Sequence, residues 1–224
     1  MTTDIDQGYR IVPDVLDADE AAHLLRSLET SDLSRSRAGA RHLMAHQSVR
    51  AVAHDPRLLS LAADFIGPTA LPYRATLFDK SPAHNWLVPW HQDTALPLEE
   101  HRDVQGWGPW STKAGIRYAH APAAALSRVI ALRLHFDASG ADNGPLRVVP
   151  RTHTLGVLTD PEVATRVEQS AHVECLVGSG GVIAMRPLIV HASSKTVSDR
   201  PRRVLHIEYI DSRDVGSGLR VAVA

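Results

Sequence analysis

Cysteine is nearly missing from this sequence: its 224 residues hold one, Cys175. An intrachain disulfide is therefore excluded, and so is a thiolate-rich zinc or iron–sulfur site. Any bound metal has to be held by imidazole and carboxylate, and Cys175 itself reads as a small core residue. Charge of one sign is lacking too. With 24 basic and 25 acidic residues the formal net charge is -1, and no block of like charges appears. That leaves no basic field for nucleic acid and no acidic tail, so small-molecule partners are favoured. No apolar run approaches the length of a transmembrane helix, and the opening "MTTDIDQGYRIV" has no apolar stretch behind a positive start. A soluble, cytoplasmic protein with no membrane partner is expected. No fixed-period repeat and no low-complexity linker interrupts the chain.

What is present, 44% hydrophobic and 22% charged residues, suffices for one sizeable core. A single domain over residues 1–224 is expected, with a helical flank to about residue 69 and a β-rich core over about 70–224. In "DADEAAHLLRSLE" Asp17 caps a helix with Glu20 three positions on, and Ala22, Leu24, Leu25 and Leu28 share a face. "DPRLLSLAADFIG" repeats the form, with Asp55 as cap, Pro56 at the first helical position and Gly67 as the stop. From residue 70 onward β-rich runs alternate with turn signals: "ALPYRATLF", "NWLVPW", "RVIALRLHF", "LRVV", "GGVIAM", "LIVH" and "RVLHIEYI". Their spacing predicts an antiparallel barrel or double-sheet jelly roll, mainly β with flanking helices. Asn143-Gly144 predicts a tight hairpin, and "GSGG" at 178–181 a sharp turn onto an apolar strand. Residues 94–127 lack a regular pattern, and with Trp107 and Trp110 they form either a surface loop pinned by buried indoles or a substrate-contacting lid.

Five His-x-Asp/Glu pairs occur, where chance gives roughly one or two. In a strand, side chains two apart share a face, so each pair can present both groups to one ion. A non-haem Fe(II) site asks for two imidazoles and one carboxylate on one face of the metal, with open positions for cosubstrate and dioxygen. If the cosubstrate is 2-oxoglutarate, its far carboxylate also needs a cation, for which a bidentate arginine is suited. His191 ends "PLIVH", and eleven positions later Arg202 opens "RRVLHIEYI". The same interval recurs at His46/Arg57 and His91/Arg102, but only 191/202 lies downstream of a His-x-Asp with strands on both sides. His101/Asp103 sits in the charged stretch "LEEHRDV", and His172/Glu174 leaves no room for intervening strands before His191. His91/Asp93, fed by "NWLVPW", is preferred as the near pair, and His135/Asp137 stays a rival.

"WHQD" at 90–93, "ALRLHFDASGADNGPLRVVPRTH" at 131–153 and "HASSKTVSDRPRRVLHIEY" at 191–209 together resemble the phytanoyl-CoA dioxygenase family of Fe(II)/2-oxoglutarate oxygenases. The opening "GYRIVPDVLDADEAAHLL" is similar to that family's as well. The resemblance implies a double-stranded β-helix flanked by helices, with iron on His91, Asp93 and His191. It also implies Arg202 as anchor of the 2-oxoglutarate carboxylate, and Gln92 and Ser193 as further contacts to that cosubstrate. Strict alternation would, however, point Gln92 away from the metal unless the strand bends. The implied reaction is hydroxylation of a C–H bond in a small-molecule substrate by dioxygen, with release of succinate and CO2. Related halogenases lack the carboxylate, so the intact Asp93 speaks for hydroxylation. Arg151 in "VVPRTH" departs from the family, which more often has glycine there, and is expected to alter the rim of the site.

Plainer roles remain for several groups. On the strand at 202–210, Arg202, Val204, His206 and Glu208 share one face, and that face is either solvent or the lumen of a barrel. His42 and His46 read as ordinary polar residues, because no catalytic Glu follows His42. Lys80 ends a strand-like run and is expected to be solvated, with approach to the cosubstrate as the alternative. Two other functions use the same ligands: a cupin-like metal-binding module without turnover, and a jelly-roll metal-dependent hydrolase.

Overall fold

The computed structural model describes residues 4–33, 35–36, 39–81 and 83–224. The first three residues of the polar N-terminus thus lie outside the described residues. The chain opens with α1 (Asp4–Gln7), β1 (Tyr9–Val12) and α2 (Ala18–Glu29). The capping box closes as expected: the Asp17 carboxylate accepts from the Glu20 N–H, and the Glu20 carboxylate accepts from the Asp17 N–H. The buried face of α2 is Ala21, Leu24 and Leu28, with Leu25 at its edge, so Ala21 and not Ala22 faces the core. After β2 (Arg35–Ser36), β3 (Gly39–Arg41) and α3 (Gln47–Ala53) comes α4 (Pro56–Ile66), which Asp55 caps and Gly67 ends, the latter at φ +87°. The helical flank therefore also contributes three strands.

The remainder is β4 (Leu71–Lys80), β5 (Val88–His91), β6 (Ala95–Leu98), β7 (Trp110–Lys113), β8 (Ile116–His120), α5 (Ala123–Leu126), β9 (Val129–His135) and β10 (Leu146–Val149). It ends with α6 (Asp160–Gln169), β11 (Val173–Cys175), β12 (Val182–Met185), β13 (Val190–Ser193) and β14 (Arg202–Ile210). A large sheet in the order β1-β12-β9-β14-β4-β3-β2 and a smaller one, β11-β10-β13-β5, make the jelly roll. All pairings within them are antiparallel. No helix among the described residues is long and apolar enough to cross a membrane.

Period-two alternation decides what each face of the large sheet does. Ile130, Leu132 and Leu134 of β9, with Leu205 and Ile207 of β14, pack against Leu24, Leu28, Val49 and Leu58 of the helices. The opposite face carries Arg133 and His135 of β9 and Arg202, Val204, His206 and Glu208 of β14, all buried. The polar face of β14 is thus lumen, not solvent. Toward β10 and β11 the lumen is closed by Leu146, Val148, Cys175, Ile183 and Met185.

Two expected turns come out differently. "GSGG" turns as predicted, with Gly180 at φ +78° leading into β12. Asn143-Gly144 makes no hairpin, because β9 and β10 belong to different sheets. The Asn143 carboxamide instead ties its own loop, accepting from the Gly140 N–H and donating to the Ala138 carbonyl. Residues 94–127 are neither bare loop nor patternless. They hold a third antiparallel sheet, β6-β8-β7, against whose apolar cluster Trp107 and Trp110 pack.

Candidate metal centre and cosubstrate pocket

Strand pairing brings the two imidazoles together: on β5 and β13, His91 lies directly across from His191, just before an irregularity in the register. Their rings are 4.2 Å apart. Asp93 follows past the end of β5, its N–H bonded to the Pro187 carbonyl. One carboxylate oxygen of Asp93 lies 3.6 Å from His91 Nε2 and the other 3.5 Å from His191 Nε2. Ligand atoms that share one ion at about 2 Å each stand roughly 3–3.5 Å apart, a spacing at which this set could hold a divalent metal. Among the described residues it is the one cluster of three such ligands. Each imidazole is oriented by its other nitrogen, His91 Nδ1 to the Pro89 carbonyl at 2.8 Å and His191 Nδ1 to that of Ile189 at 2.9 Å. That fixes the tautomer and leaves both Nε2 lone pairs facing the carboxylate.

The protonation states of Asp93 and His191 agree. Burial alone would raise the Asp93 carboxyl, but His191, His91 and His206 outweigh it and hold Asp93 well below the usual range. Burial pushes His191 down to about 4, against the pull of Asp93. An ionised carboxylate and a neutral imidazole are the forms that coordinate.

The rival pair fails on direction. His135 is fully buried, whereas the Asp137 carboxylate binds Arg203 outside the lumen. His101 and Asp103 are exposed, and His172 stacks edge-on against Trp90.

The cluster opens on a cavity of about 380 Å3, within the range of small-ligand sites. Arg202 is 3% exposed, and its Nε donates to the Asn143 carbonyl while Nη2 donates to Ser193 Oγ. Its Nη1 is buried with no hydrogen-bond partner among the described residues. Ser193 Oγ also accepts from Lys80 Nζ at 2.8 Å and donates to the Gly144 carbonyl. Lys80 corrects the expectation of a solvated lysine: it is 1% exposed and its ammonium lines the cavity. Burial, then the like charges of Arg202 and Arg133, lowers Lys80 to about 7, and burial and Arg133 lower Arg202 to about 9. A buried cationic pocket with an unused guanidinium nitrogen fits the far carboxylate of a dicarboxylate.

Gln92 lines the cavity, but its amide is engaged by backbone. Its amide donates to the Gly156 and Leu188 carbonyls and its oxygen accepts from the Leu158 N–H. All three interactions fix the loop beside β5. Arg151 does not line the cavity. It holds φ +69°, a left-handed conformation in which glycine is unstrained. His42 binds the Tyr118 hydroxyl and His46 that of Ser31, so neither forms a metal pair. Arg133 is a residue that sequence reasoning missed: it lines the cavity and bonds His206 Nδ1 at 3.1 Å.

A fold of this kind, with such a cluster at one end of its lumen, defines the class. Residues 6–204 match the phytanoyl-CoA dioxygenase (PhyH) family. The chain belongs to that family, within the Fe(II)/2-oxoglutarate-dependent oxygenases, whose cofactors are iron(II) and 2-oxoglutarate. It is similar to L-proline trans-4-hydroxylase of Streptomyces griseoviridis, 26% identical over 180 residues that cover 69% of this chain and 59% of that protein. The chain therefore spans less than two thirds of that relative's length. AviO1 from Streptomyces viridochromogenes Tue57 is 25% identical, with 92% of each chain covered and a TM-score of 0.61. SnoN from nogalamycin biosynthesis, a non-heme α-ketoglutarate-dependent epimerase, is 20% identical, with 94% of this chain and 80% of that chain covered and a TM-score of 0.61.

Proposed function

We propose that this protein is a hydroxylase: an Fe(II)- and 2-oxoglutarate-dependent dioxygenase that inserts oxygen into a C–H bond of a small molecule and releases succinate and CO2. His91, Asp93 and His191 hold the iron. Arg202 takes the far carboxylate of 2-oxoglutarate through its free Nη1, with Ser193 and Lys80 beside it, and Gln92 braces the strand end that carries Asp93. When bound, iron and 2-oxoglutarate supply the activation of dioxygen, coupled to oxidative decarboxylation of the keto acid. The protein contributes ligand geometry and a buried cationic seat.

The observation that carries the reading is Asp93, whose two oxygens face the two imidazoles. A complete facial triad leaves no ligand position for a halide, and the similar proline hydroxylase is in keeping with this outcome. The fold alone does not choose between hydroxylation and epimerisation. Succinate release with Fe(II), 2-oxoglutarate and dioxygen is expected from the wild type and lost in His91→Ala and Arg202→Ala. A turned-over substrate is expected to gain one oxygen atom from labelled dioxygen. Product of unchanged formula would favour an epimerase, and metal-dependent hydrolysis indifferent to 2-oxoglutarate would overturn the oxygenase reading.

A further inference from the structure

Six cationic side chains, Arg41, Arg74, Lys80, Lys113, Arg133 and Arg202, line the cavity, against a single acidic one, Asp93. Lys80 and Arg202 are accounted for by the cosubstrate, and Arg74 is paired with Glu208. Arg41 and Lys113 have no salt bridge among the described residues, although Arg57, Arg200 and Arg203, elsewhere on the surface, all have one.

The cosubstrate cannot serve both ends of this cavity. On β4, Lys80 lies across from Arg202, whereas Arg41 of β3 lies across from Thr76, four residues along the strand. Four residues of strand span roughly 13 Å, and the carbon chain of 2-oxoglutarate measures about 5 Å. The Arg41 end lies beyond the reach of a cosubstrate anchored at Arg202.

That end is assembled from separate sheets around one ring. Lys113 of β7 places Nζ 4.9 Å from the centre of the Tyr118 ring, and the Arg74 guanidinium lies 5.6 Å from it. The Tyr118 hydroxyl is held by His42 Nε2 at 2.8 Å, next in sequence to Arg41. Burial, then the like charges of Arg41 and Arg74, depresses Lys113, while Asp93 of the metal cluster acts on it in the opposite sense. The cationic group is thus within electrostatic reach of the metal centre. Arg41 and Lys113 are both exposed at the rim of the cavity, and like charges that converge there with no salt-bridge partner among the described residues attract an anion.

We infer that the primary substrate carries an anionic group, a carboxylate or a phosphate, gripped by Arg41 and Lys113 at the end of the cavity remote from Arg202. The inference rests on the oxygenase reading above. The anion would bridge β7 of the third sheet and β3 of the large sheet. Its partners are a planar fork and a point charge, which suit either anion.

The test is binding rather than turnover. Protein loaded with Ni(II) in place of iron and saturated with 2-oxoglutarate is titrated with inorganic phosphate, propionate or neutral propionamide at constant ionic strength, and its melting temperature is followed. Saturable stabilisation by phosphate or propionate is expected, with none by propionamide, and the tighter of the two anions identifies the class. Arg41→Gln/Lys113→Gln, still melting in one cooperative transition, is expected to weaken that anion by about tenfold or more. Unchanged affinity in the double variant, equal binding of propionamide, or no response to either anion in the wild type would overturn the inference. A wild type whose melting does not respond to 2-oxoglutarate would instead sink the oxygenase reading, and this inference with it.

Discussion

At Lys80 the protein holds a charge that its fold does not neutralise. The ammonium donates to Ser193 Oγ and to the Ser194 carbonyl, and no carboxylate among the described residues pairs with it in the cavity. Its value of about 7, against an ordinary 10.5, means that between those limits the unfolded chain binds a proton the folded chain does not. The resulting penalty is full below about pH 7 and is relieved as pH rises. Lys80→Met is therefore expected to shift the melting temperature of the cofactor-free protein more favourably at pH 6 than at pH 9, while weakening 2-oxoglutarate about tenfold or more. Melting curves at both pH values, with and without 2-oxoglutarate, check it, and unchanged 2-oxoglutarate affinity would remove Lys80 from the anchor. The cluster of His91, Asp93 and His191 and the buried Arg202 that lines the same cavity were legible in the sequence as candidates, because a facial triad with a distant cation is a demanding pattern. Lys80 was not, since a terminal strand lysine beside Asp79 looks solvated. The signal was parity: Arg74, Thr76, Phe78 and Lys80 alternate along one face of β4, as Arg202, His206 and Glu208 do on β14, across from it.

Among the elements, the segment from β9 to β10 was misread for a definite reason. Asn-Gly is a hairpin signal only when the flanking strands pair with each other, and here they belong to facing sheets. Gly144 still needs its φ of +70°, and a Cβ there would stand 2.4 Å from the Ser194 carbonyl oxygen, the acceptor of Lys80. Gly144→Ala is expected to cost about 1–3 kcal/mol and to lower 2-oxoglutarate affinity as well. Gly115, at φ +80° with open space around it, is the control: Gly115→Ala should cost about 1 kcal/mol and leave 2-oxoglutarate binding unchanged. Denaturant melts and 2-oxoglutarate titrations on both variants separate the clash from the backbone effect. The β6-β8-β7 sheet escaped sequence reading because its strands are four or five residues long, with Pro97 in β6. Proline is tolerated there because β6 is an edge strand.

For the whole molecule, sequence alternation predicted a polar face on β14 but not which side it took. Burial decided it, because the helices cover the apolar face of the large sheet and the polar face has only the lumen left. Jelly-roll class and flanking helices were legible from strand spacing and caps, whereas the sign of the lumen's charge needed strands far apart in sequence to be aligned. The proposed chemistry requires the lumen to hold one metal on three side chains. Burial opposes protonation of His91, but the hydrogen bond and charge of Asp93 outweigh it and hold His91 above its ordinary value of 6.5. A bound metal must displace that proton, so affinity should fall as pH drops through that raised midpoint. Calorimetric titration of iron(II) into the metal-free protein under argon is the most direct measurement. One equivalent is predicted, weaker at acid pH and weakened in Asp93→Ala and in His191→Ala. Undiminished binding in either variant would contradict the account.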